Sequence, residues 1–183
     1  MLVEKTFPQA EAFPRIERIM RKAKRPLTLA DLASLADCLG SEQEPALLYA
    51  AIDALVQEVI GHRLFTLMKA HEASSEVERI YSSNPAAYPV GGRKEKRGTP
   101  WSRAVLDRGE IFIARTPEEV RGAFADYDLI FSLGIGAIMN IPLAYRGRRL
   151  GTMNISHESG WFTDADAEAG RLIAPFVVPS LLG

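Results

Sequence analysis

The chain has 183 residues, of which 47% are hydrophobic and 25% charged, with a net charge of −1. These values suit one soluble globular domain with a sizeable core plus an accessory segment, and they argue against a chain built as a whole to coat nucleic acid. No apolar run approaches the ~20 residues needed to cross a bilayer, the N-terminus "MLVEKTFPQAEAF" lacks a signal-peptide core, and a single cysteine permits no internal disulfide, so a reducing cytoplasm is the expected home.

In chain order, "RIERIMRKAKR" (15–25) places Ile16, Ile19, Met20 and Ala23 at helical spacing, and Pro26 stops it. Thr28, with Asp31 three residues on, predicts an N-cap for a helix that Gly40 ends. Ser41 is predicted to cap the next helix with Glu44 as its capping-box partner. That helix, "EPALLYAAIDALVQEVI", runs to Gly61 with Leu47, Leu48, Ala51, Leu55 and Val59 in one stripe. After Gly61 the pattern changes to strands, "HRLFTLMKAH" and then "EVERIYSS", the second alternating at period two. "NPAAYPVGGRKEKRGTP" predicts a long basic loop. Thr99 and Pro100 open a short helix that closes at Gly109, and "EIFIA" follows as a strand. Thr116 caps a further helix with Glu119 at the box position, a helical turn through "DYDLIFSL" ends at Gly134, and a hairpin comes next. Thr163 and Asp166 cap a C-terminal helix that Pro175 and Pro179 should bend or end. This order predicts an α+β fold, an antiparallel sheet with the terminal helices on one face.

The hairpin "MNIPLAYRGRRLGTMNI" carries the triplet MNI at both ends, so an asparagine stands inside each apolar strand. Asn140 and Asn154 share a face only if the loop between the strands has odd length. A two-residue turn would force a positive φ on Arg146, so a three-residue loop with Gly147 in the left-handed position is expected. Met139, Ile141, Leu143, Met153 and Ile155 then form an oily face. The opposite face holds Ile138, Asn140, Pro142, Thr152, Asn154 and Ser156.

The run beginning at Asp126, "DYDLIFSLGIGAIMNIPLAYRGRRLGTMNISHESGWFTDADAEAGRLIAPFV", resembles the second half of a GAF domain. The likeness lies in a helix, a strand containing "MNIPL", a glycine turn, "LGTMNI", an aromatic-containing loop and a capped last helix, and it extends back to about residue 45. The resemblance implies a small-molecule sensor with residues 1–40 as a helical extension and 41–183 as the GAF-like domain, homodimeric through its terminal helices. It implies a pocket over the polar hairpin face, lidded by about 117–134 with the loop 84–98 at the rim. Candidate lining groups are Asn140, Asn154, Ser156, Tyr127, Trp101 and Arg115. Tyr127 and Trp101 serve equally well as core aromatics, and Arg115 as a solvated charge. Reductases of this fold that act on free methionine sulfoxide need paired cysteines, and bilin-binding members need one inside the domain. The lone Cys38 precedes it.

Other functions find less support. Residues 27–55 superficially resemble the helix-turn-helix of IclR-type regulators, yet 26–62 hold six acids and no Lys or Arg, unlike an element that approaches phosphates. The basic stretches 15–25 and 93–97 read as solvated charge, with contact to nucleic acid or to an acidic partner as the alternative. His62, His71 and His157 have no metal-ligand spacing, Cys38 sits in a stripe with Leu32, Leu35 and Leu39, and "SLGIGA" has the reverse order of a dinucleotide fingerprint. No catalytic constellation, metal site or cofactor is expected. The alternative to a sensor is a protein-interaction module with a vestigial pocket.

Overall fold

The computed structural model describes residues 24–41, 44–71, 73–95 and 98–182. Six antiparallel strands form one sheet: β1 (Leu64–His71), β2 (Glu76–Ser82), β3 (Arg93–Glu95), β4 (Phe112–Ala114), β5 (Ala137–Tyr145) and β6 (Arg148–His157), in the order β3-β2-β1-β6-β5-β4. Alternate residues of the strands other than β3 feed two separate cores. Phe65, Leu67, Met139, Ile141, Leu143, Met153 and Ile155 point to one side. There they meet α1 (Leu29–Gly40), α2 (Pro45–Val59), α6 (Asp164–Ile173) and a 3₁₀ segment (Ala174–Leu181). Leu64, Met68, Val77 and Ile138 point to the other side. They meet a helical turn, α3 (Pro100–Ser102), that continues as a π-helix (Arg103–Arg108), and then α4 (Pro117–Ala123) and α5 (Tyr127–Ser132).

Local signals placed most of these elements where the sequence predicts. Thr28 and Thr163 each form a reciprocal capping box, with Asp31 and Asp166, and Gly109 closes the π-helix in the left-handed conformation. The helix predicted over 15–25 lies outside the described residues up to 23. Its last two side chains find acids of the same chain, Lys24 with Asp166 at 2.7 Å and Arg25 with Asp31 and Glu58 at 2.7 and 2.8 Å.

Four details differ from expectation. Ser41 does not cap α2: the N-cap is Glu44, with Pro45 at the first helical position. A cap at Ser41 would put Pro45 where the first intrahelical N–H must donate, which proline lacks. The buried stripe of α2 is Leu48, Tyr49, Ile52, Leu55, Val56 and Val59, leaving Leu47 exposed. Thr116 does accept from the Glu119 amide, but the Glu119 carboxylate takes the Arg115 amide rather than completing a box. The loop 84–98 contains β3, whose three residues pair with β2.

The hairpin reaches its expected faces by another route. Its turn has two residues, Arg146 and Gly147, at φ 48° and 80°, between the paired Tyr145 and Arg148. Positive φ at both positions matches the twist of the strands and outweighs a local cost of about 1–2 kcal/mol at Arg146. The register then slips by one, because Leu143 faces Gly151 while Ala144 faces Arg149. Leu150 is the extra residue of a β-bulge, and it brings Asn154 rather than Met153 opposite Asn140. Gly151 is required there, since a Cβ would collide with the Met68 carbonyl oxygen of β1.

Candidate functional site

The polar row of the sheet lies under the lid helices. Asn140, Asn154 and Thr66 are neighbours across β5, β6 and β1. Asn140 Nδ2 donates to Asn154 Oδ1 at 2.6 Å, and Asn154 Nδ2 donates to Thr66 Oγ1 at 3.1 Å. All three are buried, as is Ser156 in the next position of the same face. The chain of amides ends with an open group: Asn140 Oδ1 is buried and has no partner among the described residues. Thr152, on the same face but outside the cavity, also leaves its hydroxyl unpartnered.

Beside this row is a cavity of about 50 Å³, taken as the space open to the centre of a water molecule. Its floor is Thr66, Asn140, Asn154 and Ser156; Leu64, Met68, Ile130, Ile135 and Ile138 make apolar walls, and Trp101 and Phe124 close it from the lid. The two rings stack with centroids 6.2 Å apart and occupy much of the space over the sheet. At roughly 10–15 Å³ per water, the room left suits a few water molecules or one very small ligand.

One end of the cavity is charged, by residues that the sequence reading did not single out. Arg79 of β2, Lys94 of β3 and Asp126 at the start of α5 all line it, together with Tyr88. Asp126 Oδ2 accepts from the Tyr88 hydroxyl at 3.2 Å and lies 3.8 Å from Lys94 Nζ. Burial lowers the pKa of both Arg79 and Lys94, while nearby Asp126 works against that shift. Burial first, then Asp126, raises the Tyr88 phenol well above its ordinary value and keeps it neutral.

Of the residues named from sequence, Asn140, Asn154, Ser156 and Trp101 come together around the cavity. Tyr127 does not line it; its ring packs 5.9 Å from Phe131, with the Arg121 guanidinium over it. Arg115 turns away, donating to the Phe162 carbonyl and pairing with Asp164 at 3.1 Å. The histidines are dispersed. His62 Nε2 lies 2.6 Å from Asp53, His71 pairs with Glu78 at 2.8 Å, and His157 stacks on Trp161. None of them lines the cavity, and Cys38 packs beside the opposite core. Among the described residues, no group of three or more His, Cys, Asp or Glu could hold a metal, and no helix is long and apolar enough to cross a membrane.

This arrangement of elements is similar to that of several solved structures. The GAF domain of a phosphoenolpyruvate-protein phosphotransferase from Coxiella burnetii superposes with a TM-score of 0.69 at 15% identity, over 82% of this chain and 90% of that one. The corresponding domain from Acinetobacter gives 0.67 at 12%, over 84% and 91%. This chain has the GAF fold. A phycocyanobilin-bound GAF domain from a cyanobacterial phytochrome gives 0.66 at 15%, over 85% of this chain and 95% of that one. No protein-family model matches the sequence, and no curated protein does. The chromophore-binding domain of a bacteriophytochrome from R. palustris gives 0.62 at 12%, over 83% of this chain and 60% of that one.

Proposed function

We propose that this chain is a sensory or regulatory module that reversibly binds a small polar molecule between the sheet and the lid helices of residues 117–134. One observation carries the reading: the buried, unpartnered Asn140 Oδ1 on the cavity floor. Leaving such an acceptor unsatisfied costs about 1–3 kcal/mol, and an apolar residue would avoid that cost. A ligand that completes the amide chain gives the asparagine a purpose. Asn154 and Ser156 flank it as further hydrogen-bonding groups, and Trp101 supplies a wall. The site is read as one of binding rather than catalysis.

Signal transfer is proposed to run through the helical layer on the opposite face and through a homodimer. Leu29, Leu47, Leu172 and Leu182, all from the terminal helices or the C-terminal end, are exposed by 85, 54, 45 and 49%, and an apolar surface of this kind suits a second copy. The cytoplasm is the compartment proposed, on the single cysteine. Contact with nucleic acid is disfavoured by the acidic helices α1 and α2.

Native mass spectrometry of the gently purified protein tests the reading. A stoichiometric small molecule should accompany the wild type and be absent from the Asn140→Leu/Asn154→Leu variant, with the fold retained by circular dichroism. A molecule retained by that variant would overturn the site. The narrowness of the cavity favours a second reading, a protein-interaction module with a vestigial pocket. A clean apo protein that gives no titration signal with any small molecule would select it.

A further inference from the structure

We propose that the ligand is a short carboxylate of about two to four carbons, with its carboxylate at Arg79 and Lys94 and a hydroxyl at Asn140. This inference rests on the cavity reading above and adds the chemical class.

Arg79 is the first support. It stands in phase with Val77 on β2, so its side chain enters the lid side of the sheet, and the residue is only 9% exposed. Nη1 donates to the Pro89 carbonyl at 2.9 Å and the guanidinium lies over the Tyr88 ring at 4.8 Å. Nε is buried and has no partner among the described residues. The loop is shaped around this group: a Cβ at Gly92 would come within 2.8 Å of Nη1. A guanidinium enclosed in this way, with a donor left over, is matched to a planar acceptor with two oxygens.

Charge balance selects the kind of anion. The charged residues lining the cavity are two cations, Arg79 and Lys94, and one carboxylate, Asp126. Asp126 already accepts from Tyr88 and faces Lys94. One unit of positive charge is left, which a monoanion neutralises and a phosphate dianion overshoots. Burial opposes the charge of both cations, and Arg79 adds repulsion at Lys94, so an anion held between them relieves both.

Size and the far end complete the class. About 50 Å³ of free space admits a handful of heavy atoms, far fewer than a bilin or a cyclic nucleotide contains. The amide chain Asn140–Asn154–Thr66 runs in one direction as drawn and leaves an open acceptor. Reversed through the Thr66 hydroxyl, it leaves an open NH₂ instead. A hydroxyl both donates and accepts, so it completes the chain in either sense. The aliphatic walls between the two ends, Leu64, Met68 and Ile138, suit a short carbon body.

The test is calorimetric titration of the full chain with propionate, lactate, 3-hydroxybutyrate, propionamide and inorganic phosphate. The carboxylates should bind, the hydroxylated ones more tightly, and neither propionamide nor phosphate should compete with them. Arg79→Gln should weaken lactate by about tenfold or more, with Arg79→Lys retaining part of the affinity. Asn140→Ala should remove the advantage of lactate over propionate. Propionamide binding as well as propionate, phosphate binding alone, or no carboxylate binding at all would overturn the proposal, and the wild-type comparison needs no folded variant. A neutral molecule that co-purifies and is lost from the double asparagine variant would overturn the carboxylate while leaving the cavity reading in place.

Discussion

The two faces of the sheet are made by alternate residues of the same strands, and their packing differs sharply. Toward the terminal helices, Met139, Ile141, Met153 and Ile155 are excluded from solvent and meet Ile52, Val56, Ile173 and Val177 in a continuous apolar layer. Toward the lid, the same strands present Asn140, Thr152, Asn154 and Ser156, and the covering elements are a three-residue turn, a π-helix and two helices of seven and six residues. Short helices have few intrahelical bonds of their own and depend on what they pack against. One face holds the fold together, and the other is free to be specific.

The largest test of that contrast is truncation on either side of one strand. Ile141→Ala should lower the unfolding free energy by about 2–5 kcal/mol in guanidinium titration. Ile138→Ala borders a cavity that already exists and should cost clearly less; equal losses would break the contrast. Next in size is the amide pair. Asn154→Leu alone strands Asn140 Nδ2 and Thr66, at a cost of about 1–3 kcal/mol, whereas Asn140→Leu/Asn154→Leu should recover much of it. A thermodynamic cycle over the two single variants and the double measures the coupling, and additive losses would show that the pair is not a unit.

Two smaller effects sharpen the comparison without touching the cavity. Thr163→Ala removes the side-chain acceptor at the start of α6 and should cost about 1 kcal/mol. Its thermal shift should report on the helical layer alone, with ligand affinity unchanged. Arg146→Asn should stabilise the protein by about 0.5–1 kcal/mol, because asparagine tolerates the left-handed conformation better. A loss of stability there would mean that the arginine makes a contact worth more than its strain.

Much of the fold was legible because its signals are local. Thr28, Thr99 and Thr163 announced three helix starts, and the period-two pattern around the two MNI triplets separated the faces correctly. The turn was misread because the sequence shows the cost at Arg146 but not the bulge at Leu150 that makes a two-residue turn compatible with the pairing. The floor of the candidate site was visible as asparagine within apolar runs. Its charged end was not recognised, although a signal existed: Arg79 occupies the inward phase of "EVERIYS", alternating with Glu78 and in step with Val77. Lys94 was hidden for a different reason, since a three-residue strand leaves no periodicity to read inside a basic loop. Asp126 belongs to the lid, and only tertiary packing brings it to Lys94.

The bulge at Leu150 uncouples the tip of the hairpin from the cavity floor. Without that residue Ala144 would still meet Arg149, Leu143 would still meet Gly151 and Asn140 would still meet Asn154, now across a regular two-residue hairpin. A difference of one residue in length is thus taken up at the bulge without turning a side chain over, and chains that differ in length at this tip could carry the same cavity floor.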